Sequence, residues 1–144
     1  MAVADAGEFA DPRSFLALLP FVRELSISIV SAVPGEVTVE MPFADRFSTP
    51  PNHFPASIVG VLGDVAAVAS CISRLPRGWA GATLDYTVKM TGRAQGERLR
   101  AKGRVLQNGQ TISVGASDVL VVTGNRETLC GVVLATTRNF EIKA

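Results

Sequence analysis

The sequence predicts an α+β domain: a hairpin, one long helix, then four consecutive antiparallel strands, with one sheet able to curl around one helix. Three observations carry this. Residues 26–41 alternate apolar and polar side chains around a turn, and residues 55–73 form a long apolar stretch with one charged side chain. Residues 82–137 then break into four β-rich segments separated by turn residues.

At 144 residues the chain has the length of one domain, expected over 12–144, with the small and acidic residues 1–11 expected to be disordered. Asp11 and Pro12 suit the cap and first position of a short helix over Arg13–Leu19, which Pro20 should stop. Ser26-Ile27-Ser28-Ile29-Val30 and Val37-Thr38-Val39-Glu40-Met41 form a hairpin about the Pro34-Gly35 turn, with one wet face. Residues 43–53 are proline-rich and are expected to lack regular structure. The long helix should run from about Pro55 to Arg74, ending at Leu75-Pro76-Arg77-Gly78. Strands follow at 82–90, 97–106, 111–122 and 128–137, with Asn108-Gly109 the clearest hairpin signal.

Charge nearly cancels, 14 Lys and Arg against 13 Asp and Glu, and the basic residues are scattered, which argues against nucleic acid as a partner. Apolar residues make up 47% of the chain and charged residues 19%, so part of the apolar surface is expected to close an interface between subunits of a homo-oligomer. The N-terminus carries acidic residues where a secretory signal would carry basic ones, and no long apolar run follows; a cytoplasmic location without membrane association is expected. Cys71 and Cys130 lie in apolar segments and read as buried free thiols; with His53 the only histidine, no metal-ligand spacing exists.

Along the helix, Ile58, Leu62, Val65, Ala69 and Ile72 share a core-facing stripe. Gly60 and Gly63, each costing about 1 kcal/mol relative to alanine, suggest close approach by another backbone. Asp64 is the one charged group between Phe54 and Ser73, in mid-helix, where aspartate has poor propensity and no cap to serve. It is either a solvent-facing or locally hydrogen-bonded side chain that keeps the helix soluble, or a partly desolvated carboxylate of raised pKa, fit to act as general base or nucleophile. The free N–H groups of Ala56 and Ser57 at the helix start could hold a developing oxyanion, as almost any helix start could. Ala56 and Asp64 are separated by about 12 Å along the axis, so a site using both must combine two chains.

Three segments in order, Pro55-Ala56-Ser57-Ile58-Val59-Gly60-Val61-Leu62-Gly63-Asp64, Ala82-Thr83-Leu84-Asp85-Tyr86-Thr87-Val88 and Val105-Leu106-Gln107-Asn108-Gly109-Gln110-Thr111, resemble the hot-dog superfamily, specifically the phenylacetate-degradation type of acyl-CoA thioesterase. The resemblance covers about residues 17–140. It implies a highly curved antiparallel sheet wrapped around the central helix, edge-to-edge dimers or tetramers, and sites at the dimer interface. It also implies hydrolysis of an acyl-CoA thioester, with Asp64 as base or nucleophile, Ala56 N–H on the carbonyl, and no cofactor beyond the CoA thioester substrate. Asn52 and His53 are the further catalytic candidates, and Thr49, Pro55, Ser57 and Thr83 would position substrate or water, Thr83 from the partner subunit. The family's His-Gly-Gly at the helix start is replaced by Pro55-Ala56-Ser57, which keeps open a protein that binds acyl-CoA without turnover. A hydratase of the same fold needs a His after the acidic residue, and none follows Asp64.

Overall fold

The computed structural model describes residues 7–143. Asp11 caps α1 (Pro12–Ala17), its carboxylate accepting from Arg13 N at 3.0 Å. Pro20, expected only to stop that helix, also opens a second one, α2 (Pro20–Glu24), because a proline with fixed φ and no N–H suits a first helical position. At residues 8–10, within the stretch expected to be disordered, Arg77 N donates to Glu8 O and Ala10 N to Leu75 O, at 3.1 and 2.9 Å. Residues 1–6 of that expectation lie outside the described residues.

Ser26 adopts a left-handed conformation (φ 56°), so β1 (Ser28–Val33) begins later than the alternation implied. Pro34 and Gly35 (φ 90°) turn the chain into β2 (Glu36–Pro42), whose Val37, Val39 and Met41 are buried. One short 3-10 turn, Asp45–Phe47, interrupts the connection expected to be irregular. Then come α3 (Ala56–Ile72), β3 (Trp79–Met90), β4 (Arg98–Asn108), β5 (Ile112–Thr123) and β6 (Arg126–Glu141). Asn108-Gly109 does open the β4–β5 connection, but neither residue has positive φ. Gly124-Asn125 forms a two-residue hairpin turn between β5 and β6, as Pro34-Gly35 does between β1 and β2, with Gly124 at φ 58°.

Among the described residues six strands form one open antiparallel sheet in the order β1-β2-β4-β5-β6-β3. Helix α3 touches β2, β4, β5, β6 and β3. Five strands about 4.8 Å apart span more than the 10–12 Å width of a helix, so the sheet must curl for one helix to reach them all. The single core-facing stripe expected for α3 becomes burial nearly all round: only Ala56 and Ser57 are exposed and Ile58, Val61 and Asp64 half-buried. The sheet covers one side, and Phe15 of α1 packs with Trp79 over Val68, Ile72 and Leu75.

The nearest neighbours of the helix glycines are side chains of the sheet, not another backbone. A Cβ at Gly60 would fall 2.7 Å from the Val88 side chain and one at Gly63 2.2 Å from Val133, so they admit sheet side chains. The close backbone approach is made by strand glycines instead: a Cβ at Gly103 would lie 2.2 Å from Ala66 O, and one at Gly115 2.8 Å from Ala67 O. Ser70 and Ser73 tie the far end of α3 to the first hairpin. Ser70 Oγ accepts from Val37 N (3.0 Å) while donating to Ala66 O, and Ser73 Oγ accepts from Gly35 N (2.8 Å). Among the described residues no helix is long and apolar enough to cross a membrane.

Candidate functional site

Asp64 projects from the middle of α3, half-buried, and the Thr83 hydroxyl donates to its two carboxylate oxygens at 3.0 and 3.3 Å. This Thr83 belongs to the same chain as Asp64. It pairs with Thr137 just before a β-bulge that skips Leu84. Burial pushes the Asp64 carboxyl above its ordinary value, and the Thr83 hydrogen bond, which favours the charged form, offsets part of that rise.

The carboxylate opens into a cleft of about 320 Å³. Val65 and Val68 of α3, Gly81, Ala82 and Thr83 of β3, and Phe140 of β6 form one side. Phe15, Leu16, Leu19 and Phe21, from α1, α2 and their junction, form the other. Sequence reasoning missed these last four. The available signal was the apolar spacing of Phe15, Leu16 and Leu19, legible only once a second helix is known to follow.

The start of α3 is a separate place. Pro55 is the N-cap and no side chain caps the helix; Pro55 O accepts from Ile58 N and Val59 N, leaving the N–H groups of the exposed Ala56 and Ser57 as first-turn orphans. Thr49 and His53 exchange backbone hydrogen bonds, both 2.9 Å, across a turn containing a cis Pro50-Pro51 bond and Asn52 at φ 55°. Phe54 N donates to Ala94 O and Gln95 Nε2 to Pro51 O, which fastens this loop to the β3–β4 connection. Thus Thr49, Asn52, His53, Pro55, Ala56 and Ser57 gather at one end of α3, and none of them lines the Asp64 cleft of the same chain. Two helical turns of axis separate the groups, about 12 Å.

The sheet's outer face disposes of several basic residues. Arg100 binds Glu40 and Glu127, Lys102 reaches Glu127 at 3.2 Å, and Arg104 reaches Asp118 at 3.5 Å. Arg93 differs: with Gln95, Thr123 and Arg126 it lines a groove of about 610 Å³ beside the helix-start loop. Among the described residues no group of three His, Cys, Asp or Glu side chains could hold a metal ion.

An open antiparallel sheet curled about one long central helix defines the hot-dog fold, the architecture of thioesterase-superfamily structures. One such structure, a thioesterase family protein from Silicibacter pomeroyi, superposes with a TM-score of 0.87 at 23% identity, covering 91% of this chain and 96% of that one. A thioesterase from Haemophilus influenzae superposes at 0.79 and 17% identity over 100% and 94% of the two chains. A phenylacetic acid degradation-related protein from Ralstonia eutropha JMP134 does so at 0.75 and 18% identity over 89% and 98%. No family model and no curated protein matches the sequence.

Proposed function

We propose that this chain hydrolyses an acyl-CoA thioester to the free acid and CoA, as a homodimer or a higher oligomer built from dimers. The observation that carries the reading is a half-buried carboxylate, Asp64, held by the Thr83 hydroxyl at the mouth of an apolar cleft. In its charged form Asp64 accepts the proton of a water as that water attacks the thioester carbonyl; alternatively the carboxylate attacks directly and the resulting anhydride is hydrolysed. The Ala56 N–H, with Ser57 N–H beside it, receives the carbonyl oxygen as it gains charge. The sulfur leaves as the CoA thiolate and takes up a proton. Thr49, Asn52 and His53 line the approach on the helix-start side.

The spacing along α3 supports an intersubunit site, with the helix start of one chain facing Asp64 of the other. The edge strand β3 is the natural joint: β6 is its one neighbour in the sheet, and Leu84, Tyr86 and Met90 on it are exposed. The similarity of fold to named thioesterases supports the reaction class.

The test is thiol release from a panel of short-chain, medium-chain and aryl-acetyl CoA thioesters, comparing the native chain with Asp64→Asn. The expected result is hydrolysis of at least one member and its loss by about 10²-fold or more in the variant. A second reading, acyl-CoA binding without turnover, is favoured by a helix start of Pro55-Ala56-Ser57 that offers no side-chain donor beyond Ser57. Binding of CoA thioesters with no thiol release by either protein would establish it.

A further inference from the structure

The cleft over Asp64 has walls that discriminate between acyl groups. Of its eleven lining residues Asp64 alone is ionisable, and the Thr83 hydroxyl is already committed to that carboxylate. The rest of the surface is Phe15, Leu19, Phe21, Val68, Phe140 and small or aliphatic neighbours. At ~30 Å³ per water-sized group, a volume of about 320 Å³ holds on the order of ten such groups. The volume lies at the low end of the usual range for small-molecule sites.

The outer wall is preformed. Asp11 caps α1, only Leu18 and Leu19 separate it from α2, and Leu16 and Val22 anchor the two helices in the core. Leu19 is half-buried and Phe21 is 44% exposed, so both present side chains to the cleft without belonging to the buried core.

Resting on the thioesterase reading, we propose that this cleft receives the acyl group, and that it selects an uncharged apolar chain of roughly six to ten carbons or a single aryl ring while rejecting acyl groups that end in a carboxylate. The discrimination is electrostatic. A terminal carboxylate entering the cleft exchanges water for hydrocarbon, finds no cation among the lining residues, and shares a small space with the charge of Asp64. An alkyl or aryl group makes the same move with a gain from apolar burial. The N-terminal helix pair is thus a specificity element, and Leu19 and Phe21 are the residues through which it acts.

The experiment uses two thioethers that cannot be hydrolysed, S-hexyl-CoA and S-(ω-carboxypentyl)-CoA, titrated calorimetrically into the native chain, Leu19→Arg and Phe21→Arg. The native chain is expected to bind the hexyl compound at least about tenfold more tightly, and a cation placed on the wall to bring the two compounds to within about threefold of each other. Phe21→Arg, at an exposed position, serves if Leu19→Arg does not fold. Hexanoyl-CoA and adipoyl-CoA should follow the same order in thiol release. Equal binding of the two thioethers to the native chain, binding of neither, or a preference unmoved in a folded arginine variant overturns the proposal. Preferential hexyl binding without any thiol release leaves the acyl cleft standing and removes hydrolysis. Thiol release indifferent to the terminal carboxylate does the reverse.

Discussion

Replacing Gly103 by alanine would test how the helix carrying Asp64 is seated. A Cβ there falls 2.2 Å from Ala66 O and 2.5 Å from Ala66 C, whereas ordinary contact begins at 3.4 Å, so helix and strand must part by about 1.2 Å. The obstacle is backbone and cannot rotate away; an overpacking cost of about 3 kcal/mol is expected, at the upper end of the usual range. Restricting the unfolded chain returns about 1 kcal/mol, for a net loss of about 2 kcal/mol. With an unfolding entropy of about 2.1 cal/mol/K per residue, 144 residues give about 0.3 kcal/mol/K, and the melting temperature should fall by about 7 °C. Ala66 lies two residues from Asp64, so a displaced helix also misplaces the carboxylate against Thr83, and thiol release should fall by at least about tenfold. Gly81→Ala is the control for stability, because its Cβ would meet nothing nearer than 3.6 Å. Differential scanning calorimetry and the thiol-release assay read both effects. A Gly103→Ala chain melting within about 2 °C of native, with undiminished hydrolysis, would refute the idea that this glycine sets the seat of the helix.

Because burial raises the Asp64 carboxyl, the folded chain holds that proton more tightly than the unfolded chain, and stability is lost as pH rises through the raised value. Asp64→Asn should therefore melt higher than the native chain at neutral pH, the gap closing below about pH 4; a gap independent of pH contradicts the desolvated carboxylate. Thr83→Val removes the hydrogen bond that favours the charged carboxylate, so the acid limb of the pH–rate profile should move to higher pH, and an unmoved limb would separate Thr83 from the chemistry. Ser70→Ala leaves the buried Val37 N–H without its acceptor and should cost about 1–3 kcal/mol in urea unfolding with an unchanged slope; a smaller loss would mean that water or a shifted backbone replaces the hydroxyl.

The succession of elements was legible because its signals are local. The alternation in 37–41, the turn glycines at Gly35 and Gly124, and the long stretch of α3 each act within a few residues, and β2, the first turn and α3 lie where those signals put them. Boundaries were set by tertiary pairing instead: β3 reaches back to Trp79 and β6 on to Glu141 because those ends pair with each other. The second N-terminal helix was missed because one proline can both end a helix and begin another. At the site, Asp64 stood out as a lone charge among small residues, and its distance from Ala56 followed from helix rise alone. The hydrogen bond between Thr83 and Asp64 within one chain did not follow, since a bulge beside Thr83 has no mark in composition. The wall of Phe15, Leu19 and Phe21 depends on how two short helices dock, a long-range matter that no window of sequence contains.

Cys71 and Cys130 are both fully buried, at the end of α3 and near the start of β6, and burial pushes each thiol up to about 11. An alkylating reagent attacks the thiolate, so in the closed chain both sulfurs are doubly protected, by access and by protonation. The chain therefore carries two internal clocks of opening. Iodoacetamide can modify Cys71 only when the helix end lifts from the sheet, and Cys130 only when β6 frays from β5. Matched modification rates would mark one cooperative unit, whereas a faster Cys71 would mean that the helix bearing Asp64 can leave its cradle while the sheet remains whole.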